Sequence, residues 1–468
     1  MNTTATLFDA GELVGRPVRE SARVKVTVSD DRVTGAAGAA LWGPMLDSLN
    51  LVGAADARQL RPVGPSGYTG GECLRALIEL QLVGGEFLSD RSMLTGATQD
   101  LRGEHRLPSH TTLFRFCDEA RDISRVSKTA AVLRTMLSRG WAMGAAPTGG
   151  LVTIDPDATY VETHGSSKHG ADRSYQGTSA LSPMIGVCGE TGDVLGVRLR
   201  RGSAQPGRAI AGFIRECVAA IPGPIRASSN LWIRVDSAGY QHEVFAAADQ
   251  FGAAFSVSAR NNPPVTRAIT GLANDPDTVW RPGFDTDDDF EIAETTLQFG
   301  VGRQRKFHRV LRLIVRRRPA SNGEQLELSD VDGWRYSGIV TNLPDWLAPA
   351  EIVEAHHRRR GGIPEDTIRQ LKEDFGMNHA PLRNFYGNWL WMLSAAIAHN
   401  VARWIRVLAL PDDFARVRGK RLRLAFFNIA ARVVHHGRQL FLRIPRSHAW
   451  VDAFIAALTR IRTLPAFA

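Results

Sequence analysis

Six residues stand apart from the other charged side chains because of where they fall in the sequence. Asp155 and Asp157 lie in the strand-like run LVTIDPDATYV, and a spacing of two puts both side chains on one face of a strand. Asp236 ends a second strand-like run, LWIRVD, and is followed by the small residues Ser237, Ala238 and Gly239. In α/β sheets, sites collect at the carboxyl ends of strands. Glu365 opens the helical run EDTIRQLKEDF. Arg369 and Lys372 follow four and seven residues later on the same helical face, while Ile368, Leu371 and Phe375 occupy the opposite one. Taken singly, these residues have plain explanations. Glu365 and Arg369 form an ordinary surface ion pair worth about 0.3–0.5 kcal/mol, and an Asp that ends a strand caps the turn after it. Taken together, two strand acids and a helix acid with basic neighbours are what two-metal phosphoryl transfer needs. Carboxylates hold two divalent ions about 4 Å apart, one activating the nucleophile and one stabilising the leaving oxygen. The helix cations then hold nucleic-acid phosphates.

The surrounding elements must carry these residues. From Ala36 to about Leu137 the pattern is helical: LWGPMLDSLNLV has helical spacing, ECLRALIELQLVGG stops at Gly84-Gly85, and RLPSHTTLFRF reads as a helix start that fits either a helix-turn-helix or a plain bundle. After the loop GAAPTGG the texture changes. LVTIDPDATYV, the hairpin PMIGVCGETGDVLGVRLR, the helix GRAIAGFIRECVAAI, the strand LWIRVDSAG, the helix HEVFAAADQFG and the strand AAFSVSAR give the order βββαβαβ, a mixed sheet with helices on its faces. Residues 261–335 are irregular, with the acidic stretch DTDDDFEIAE and the basic β-like run KFHRVLRLIVRRR, and read as an inserted β-rich subdomain. SGIVTNL resumes the strand pattern and helices follow from about Ala350.

Composition narrows the class. The chain has 468 residues, 44% hydrophobic and 22% charged, which is globular and of multidomain length. The net charge is +9, and of the 57 basic residues six are lysine and 51 arginine, the residue suited to bidentate phosphate recognition; a GC-rich coding bias would produce the same excess. Cys73, Cys117, Cys188 and Cys217 lie far apart without zinc-finger spacing and read as ordinary buried thiols of a reducing compartment. The start MNTTATLFDAGELVG lacks the layout of a signal peptide, and the uncharged run Asn384–Ala402 contains Gly387, Asn388, His399 and Asn400, as a buried helix would. A secreted or membrane protein is therefore disfavoured and a cytoplasmic one expected. Neither GxGxxG nor GxxxxGK[ST] occurs, so ATP is not implied.

These motifs resemble those of the DDE transposases of bacterial insertion sequences, specifically the insertion-sequence-1380 group (DDE group 1), which is related to the piggyBac elements. The likeness spans nearly the whole chain through LPSHTTLFRF, IDPDATYVETHG, VDSAG, VTNL, EDTIRQLKED and the Arg-rich end. The family signature is Tyr-Arg-Glu-Lys with Lys seven residues after the catalytic Glu. Glu365 and Lys372 fit it and Arg369 takes the intervening basic position, but Arg358 and Gly361 stand where Tyr and Arg are expected, with Arg360 one place off. The family pattern Asp-x-Thr matches Asp157-Ala158-Thr159, which makes Asp157 the first acid and Asp155 the alternative or a helper. The resemblance implies an RNase H-like α/β fold with a β-rich insertion between the second Asp and the Glu. It also implies two Mg²⁺ ions (or Mn²⁺) held by Asp157, Asp236 and Glu365, and cleavage at terminal inverted repeats with joining of the 3′-hydroxyl ends to target DNA. The implied partners are double-stranded DNA and a second copy of the chain, and the implied location is bacterial and nucleoid-associated. A catalytically silent DNA-binding protein on the same scaffold is the alternative. A glycosidase with paired carboxylates fits poorly with the arginine excess and the Glu-Arg-Lys helix.

The expected organisation is a helical DNA-binding or dimerisation region (1–145), a core in two parts (146–262 and 336–410) separated by the β-rich insertion (263–335), and a basic helical tail (411–468). Residues 401–468 carry thirteen basic and three acidic side chains, a net +10 that leaves the rest of the chain at −1. DNA contacts are accordingly expected from Arg360, Arg369 and Lys372 near the cut and from Arg416, Arg418, Lys420, Arg421 and Arg423 in the tail. Arg316-Arg317-Arg318 reads equally as a DNA clamp or a solvated strand end. His356-His357 and His435-His436 read as solvent- or DNA-facing rather than as metal ligands, and Trp389, Trp391 and Trp404 as core residues rather than base-stacking ones.

Overall fold

The computed structural model describes residues 31–61, 67–164, 167–174, 177–284, 290–300, 307–320 and 333–468. The N-terminal run tested above for a leader, and Asp285–Asp289 of the acidic stretch, lie outside the described residues. A short strand, β1 (Val33–Thr34), precedes six helices: α1 (Ala39–Ser48), α2 (Leu51–Asp56), α3 (Gly70–Leu82), α4 (Ala97–Asp100), α5 (His110–Asp118) and α6 (Ile123–Gly140). Their starts are set by side chains that satisfy the first free N–H groups. Thr69 and Glu72 form a capping box on α3, Ser109 accepts from Thr112 N at 3.1 Å on α5, and Asp122 accepts from Ser124 N on α6. Helix α3 is buried along its whole length, including Glu79, which pairs with Arg75 and Arg102 at 2.8 and 2.6 Å.

The core begins with β2 (Leu151–Ala158). Three short strands, β3 (Val161–Glu162), β4 (Asp172–Arg173) and β5 (Ser179–Leu181), form a small separate sheet; then come β6 (Met184–Cys188), β7 (Val194–Arg198), α7 (Ile210–Ala220), α8 (Gly223–Ser228), β8 (Asn230–Val235), α9 (His242–Gln250) and β9 (Ala254–Ser258). Strands β2, β6 and β7 make an antiparallel meander, and β8 and β9 add in parallel on the other side of β2, in the order β7-β6-β2-β8-β9. This meander with two parallel strands and crossover helices is the mixed sheet that the order βββαβαβ led us to expect, in the RNase H-like arrangement that the resemblance implied.

Residues 263–335 contain α10 (Pro263–Asn274), β10 (Arg281–Pro282), β11 (Glu291–Phe299), β12 (Arg309–Pro319) and the start of β13 (Trp334–Thr341). They do not form a separate β unit. Strand β13 pairs antiparallel with β9 through Ile339–Thr341, so the core sheet continues outward to nine strands. Arg316 and Arg317 are engaged within this extension: the Arg317 guanidinium lies 4.1 and 4.4 Å from the Trp280 and Trp334 ring centroids and pairs with Glu291, and Arg316 lies over Phe290 at 4.2 Å.

Three helices follow, α11 (Ala350–Arg358), α12 (Ile363–Glu373) and α13 (Phe385–Ala409). Helix α13 is buried on nearly every side, as the uncharged run Asn384–Ala402 led us to expect, and contacts α3, α5, α6 and β7. Trp391 and Trp404 are fully buried and Trp389 half-buried. Asp193, after the β6–β7 turn, ties the layers together by accepting from Trp404 Nε1 (2.9 Å), Trp141 Nε1 (2.7 Å) and Arg403 Nη1 (2.8 Å). The last 58 residues, which read as a helical tail, hold a short α14 (Gly419–Leu422) and α15 (Val451–Arg462), but also a hairpin of β14 (Ala431–His436) and β15 (Gln439–Arg443). Strand β14 pairs with β1 and α15 packs on α1 and α13, so the tail is folded back onto the N-terminal helices.

Candidate active site

Strands β2 and β8 pair in parallel from Leu151 opposite Asn230 to Ile154 opposite Ile233. Just beyond the last pair, Asp155 and Arg234 are joined through their side chains, and Asp157 and Asp236 follow two residues further on. The paired ladder ends before Pro156, which has no N–H to give, and a cleft of about 870 Å³ opens beyond it with both Asp157 and Asp236 in its lining. Alternation along the strands puts Asp155, Arg234, Asp157 and Asp236 on a single face of the sheet.

The two steps on that face differ in their surroundings. Asp155 is 1% exposed and Arg234 2%, and they are joined by two bonds, Nε to Oδ1 at 2.8 Å and Nη2 to Oδ2 at 2.6 Å. Burial pushes the Asp155 carboxyl up, against the pull of Arg234. The third guanidinium nitrogen, Nη1, donates to the carbonyl of His356, which pins α11 to the sheet. His356 stacks on Trp232 with centroids 4.1 Å apart and reaches Thr153 Oγ1 at 3.2 Å, while His357 sits between Ser256 and Ser258 at 3.0 Å from each hydroxyl. The expectation that these two histidines face solvent or DNA is therefore corrected. Both are buried on the sheet, and burial together with nearby arginines lowers each to about 3, so they are neutral. His435 and His436 are exposed.

Asp157 is half-buried; Oδ1 accepts the Ala158 N–H at 2.7 Å and Oδ2 lies 3.4 Å from Arg360 Nη2. Burial pushes its carboxyl up, Arg360 pulls it down, and the Asp236 carboxylate adds to the upward push. Asp236 caps the turn after β8, accepting from Ala238 N at 3.0 Å, so the plain explanation of this residue and its place in the cleft both hold. Lys372 enters from α12 and donates to Thr159 Oγ1 at 3.2 Å and Tyr160 O at 3.0 Å, with burial lowering its amine. It therefore binds the threonine of the Asp-x-Thr run. Lys168 adds a second amine to the cleft lining.

The remaining expected residues are placed as follows. Glu365 is exposed in the first turn of α12 and does not line the cleft; among the described residues no three His, Cys, Asp or Glu side chains converge as a metal-holding group. Arg369 is exposed and paired with Asp366. In the tail, Arg418 pairs with Glu373 at 2.8 Å, Arg423 donates to the Asp374 carbonyl and lies against Phe375, and Arg421 lies over Trp450 at 4.9 Å. Arg416 and Lys420 are exposed. The donor chemistry suits a hard divalent cation: two carboxylates share one cleft, and the charge of one raises the other. Sequence reading missed Arg234. Its signal was present, since Asp155-x-Asp157 and Arg234-x-Asp236 have the same spacing on adjacent strands.

The family model described as transposase DDE domain group 1 matches residues 72–466. The chain belongs to that family. The match takes in the helical region from α3 onward, the whole sheet and the folded-back tail of this DDE transposase. One solved structure similar to it is a cryo-EM structure of a piggyBac transposase synaptic complex with hairpin DNA, at 12% sequence identity and a TM-score of 0.39, covering 85% of this chain and 81% of that one. No curated protein sequence matches. Among the described residues of this DDE transposase, no helix is long and apolar enough to cross a membrane.

Proposed function

We propose that the chain cuts DNA at the terminal inverted repeats of its element and joins the freed 3′-hydroxyl ends to target DNA by metal-dependent phosphoryl transfer. The observation that carries this reading is the placement of Asp157 and Asp236 at the carboxyl ends of the adjacent parallel strands β2 and β8, in one cleft whose lining includes Lys372, with Arg360 3.4 Å from Asp157. Asp157 and Asp236 would hold Mg²⁺ or Mn²⁺, with Glu365 as the third ligand of a two-ion site. When bound, such ions activate a water or hydroxyl nucleophile and stabilise the leaving oxygen. Asp155 has both oxygens on Arg234 and serves as a strut. Glu365 joins the set by a shift of the first turn of α12, for which Gly361-Gly362 supply backbone freedom. Arg360 is at hand to neutralise Asp157 before cations bind, and Arg360, Arg369 and Lys372 contact phosphates beside the cut. The five-part organisation, with N-terminal helices and tail cations recognising the ends and a homodimer pairing them, belongs to the same reading, as does a cytoplasmic, nucleoid-associated location.

The test incubates labelled inverted-repeat DNA with the purified chain and Mg²⁺ or Mn²⁺. Metal-dependent nicking that is lost in Asp157→Ala, Asp236→Ala and Glu365→Ala, with DNA binding kept, is the expected result. Nicking that persists in Asp157→Ala or Asp236→Ala overturns the site assignment, and binding with no nicking by the parent chain favours a silent scaffold.

A further inference from the structure

A second cleft, of about 820 Å³, adjoins the first and has no role in the reading above. It lies between the α5–α6 connection and the core, and its cations are Arg121, Arg201 and Arg383, with His169 and the acidic Asp118 also in the lining. Arg201 is tied to Asp172 at 3.2 Å. Arg121 is exposed and makes no ion pair among the described residues, and Arg383 is anchored only through Nε, to Ser167 O at 3.1 Å, which leaves its outer N–H groups to the cleft.

The aromatic floor is built in. Phe385 lies against Gly170, where a Cβ would come within 2.4 Å of the Phe385 ring and where φ is +82°, so glycine is required on both counts. Phe385 in turn meets Tyr386 edge-on at 5.5 Å, and Tyr386 is half-buried in the lining. The two clefts share a wall. Lys168 of the first donates to Ala380 O and Leu382 O, and the His169 N–H of the second donates to Arg383 O at 2.9 Å, so the segments 167–170 and 378–386 are clamped together and serve both.

We propose that this second cleft binds a single DNA strand continuing from the first, with Arg121 and Arg383 on successive phosphates and one unstacked base on Tyr386. A duplex keeps its bases stacked and offers no ring face to Tyr386, whereas a strand offers both its phosphates and its bases. The proposal rests on the DNA-cutting reading of the first cleft and names a strand-binding subsite for it.

Fluorescence anisotropy with a fluorescein-labelled strand of about 12 nucleotides, without divalent metal, tests this on the full chain. Arg121→Ala combined with Arg383→Ala should weaken strand binding about tenfold and reduce the log–log salt slope by about 1.4. Tyr386→Ala should weaken it about tenfold and Tyr386→Phe restore it, with melting curves confirming the fold. Unchanged affinity and slope in the Arg pair, equal losses on strand and duplex, or no strand binding by the parent overturns the proposal. If these losses appear but the parent never nicks DNA with metal, the catalytic reading fails and the subsite stands. If the parent nicks and the variants bind the strand normally, the subsite fails alone.

Discussion

At one register of the β2–β8 pair, Asp155 faces Arg234, with both side chains buried and every charged atom bonded within the protein. Two residues further on, Asp157 faces Asp236, and the nearest cation is Arg360 at 3.4 Å on a single oxygen. The same strands and face carry both pairs, and the difference is what the protein supplies opposite each acid. A buried carboxylate with a bidentate guanidinium is a fixed part of the sheet. Two carboxylates at the mouth of a cleft leave negative charge that an outside cation relieves. The cations after residue 400 repeat this contrast: in α13 Arg403 is buried on Asp193 and Arg406 is buried with burial lowering it to about 10, whereas Arg416 and Lys420 of the tail are exposed.

The contrast breaks most sharply at the open pair. Asp157→Asn should reduce metal-dependent DNA cleavage by about 10³-fold or more, the equivalent of about 4 kcal/mol of transition-state stabilisation. The same variant should melt at a higher temperature at neutral pH. Because the Asp157 carboxyl is held above its ordinary value, the folded chain binds that proton more tightly than the unfolded chain does. The stability it contributes is present below the unfolded value and is lost as pH rises through the folded one, a loss the amide does not suffer. The gain in melting temperature should vanish below about pH 4, and a lower melting temperature at pH 7 would contradict the assignment.

At the closed pair, Arg234→Met should destabilise the fold by about 3 kcal/mol, because it leaves Asp155 buried without a partner and frees the His356 carbonyl. Urea denaturation measures this, and Asp155→Asn added to Arg234→Met should recover part of the loss if the unpaired charge is its cause. A smaller effect comes from the buried imidazoles. His356, His357 and His399 are each lowered to about 3, so the stability they contribute is present above the unfolded value and is lost as pH falls from about 6.5. Each should cost about 1 kcal/mol between pH 7 and pH 5.5, and His399→Gln should flatten that slope. The smallest effect sharpens the contrast between the tail cations and the buried arginines of α13. Arg416→Ala with Lys420→Ala should reduce the salt slope of duplex binding by about 2, while a variant at buried Arg403 should lower stability and leave the slope unchanged.

Much of this was legible in the sequence because local chemistry decides it. The hairpin around Gly189–Asp193, the helix from Ile210 and the strand that ends just before Asp236 follow from turn residues and periodicity, and their order specifies the sheet. The buried α13 followed from a run without charges. Other assignments needed partners distant in the chain. His356 and His357 look like solvent-facing residues in a basic run, and only packing against Trp232, Ser256 and Ser258 makes them core. That the strands of the β-rich insertion continue the core sheet was not legible, because nothing local reveals that β13 pairs with β9.

Alone, the sequence determined that Asp155 and Asp157 share one face of a strand and that Glu365, Arg369 and Lys372 share one face of a helix, since these depend only on backbone periods of two and 3.6 residues. Which acids face the cleft was decided only by the tertiary structure. Asp155 and Asp157 are chemically alike and two residues apart; what separates them is a guanidinium 79 positions away, brought into register by parallel pairing, which neutralises one carboxylate and leaves the other beside Asp236.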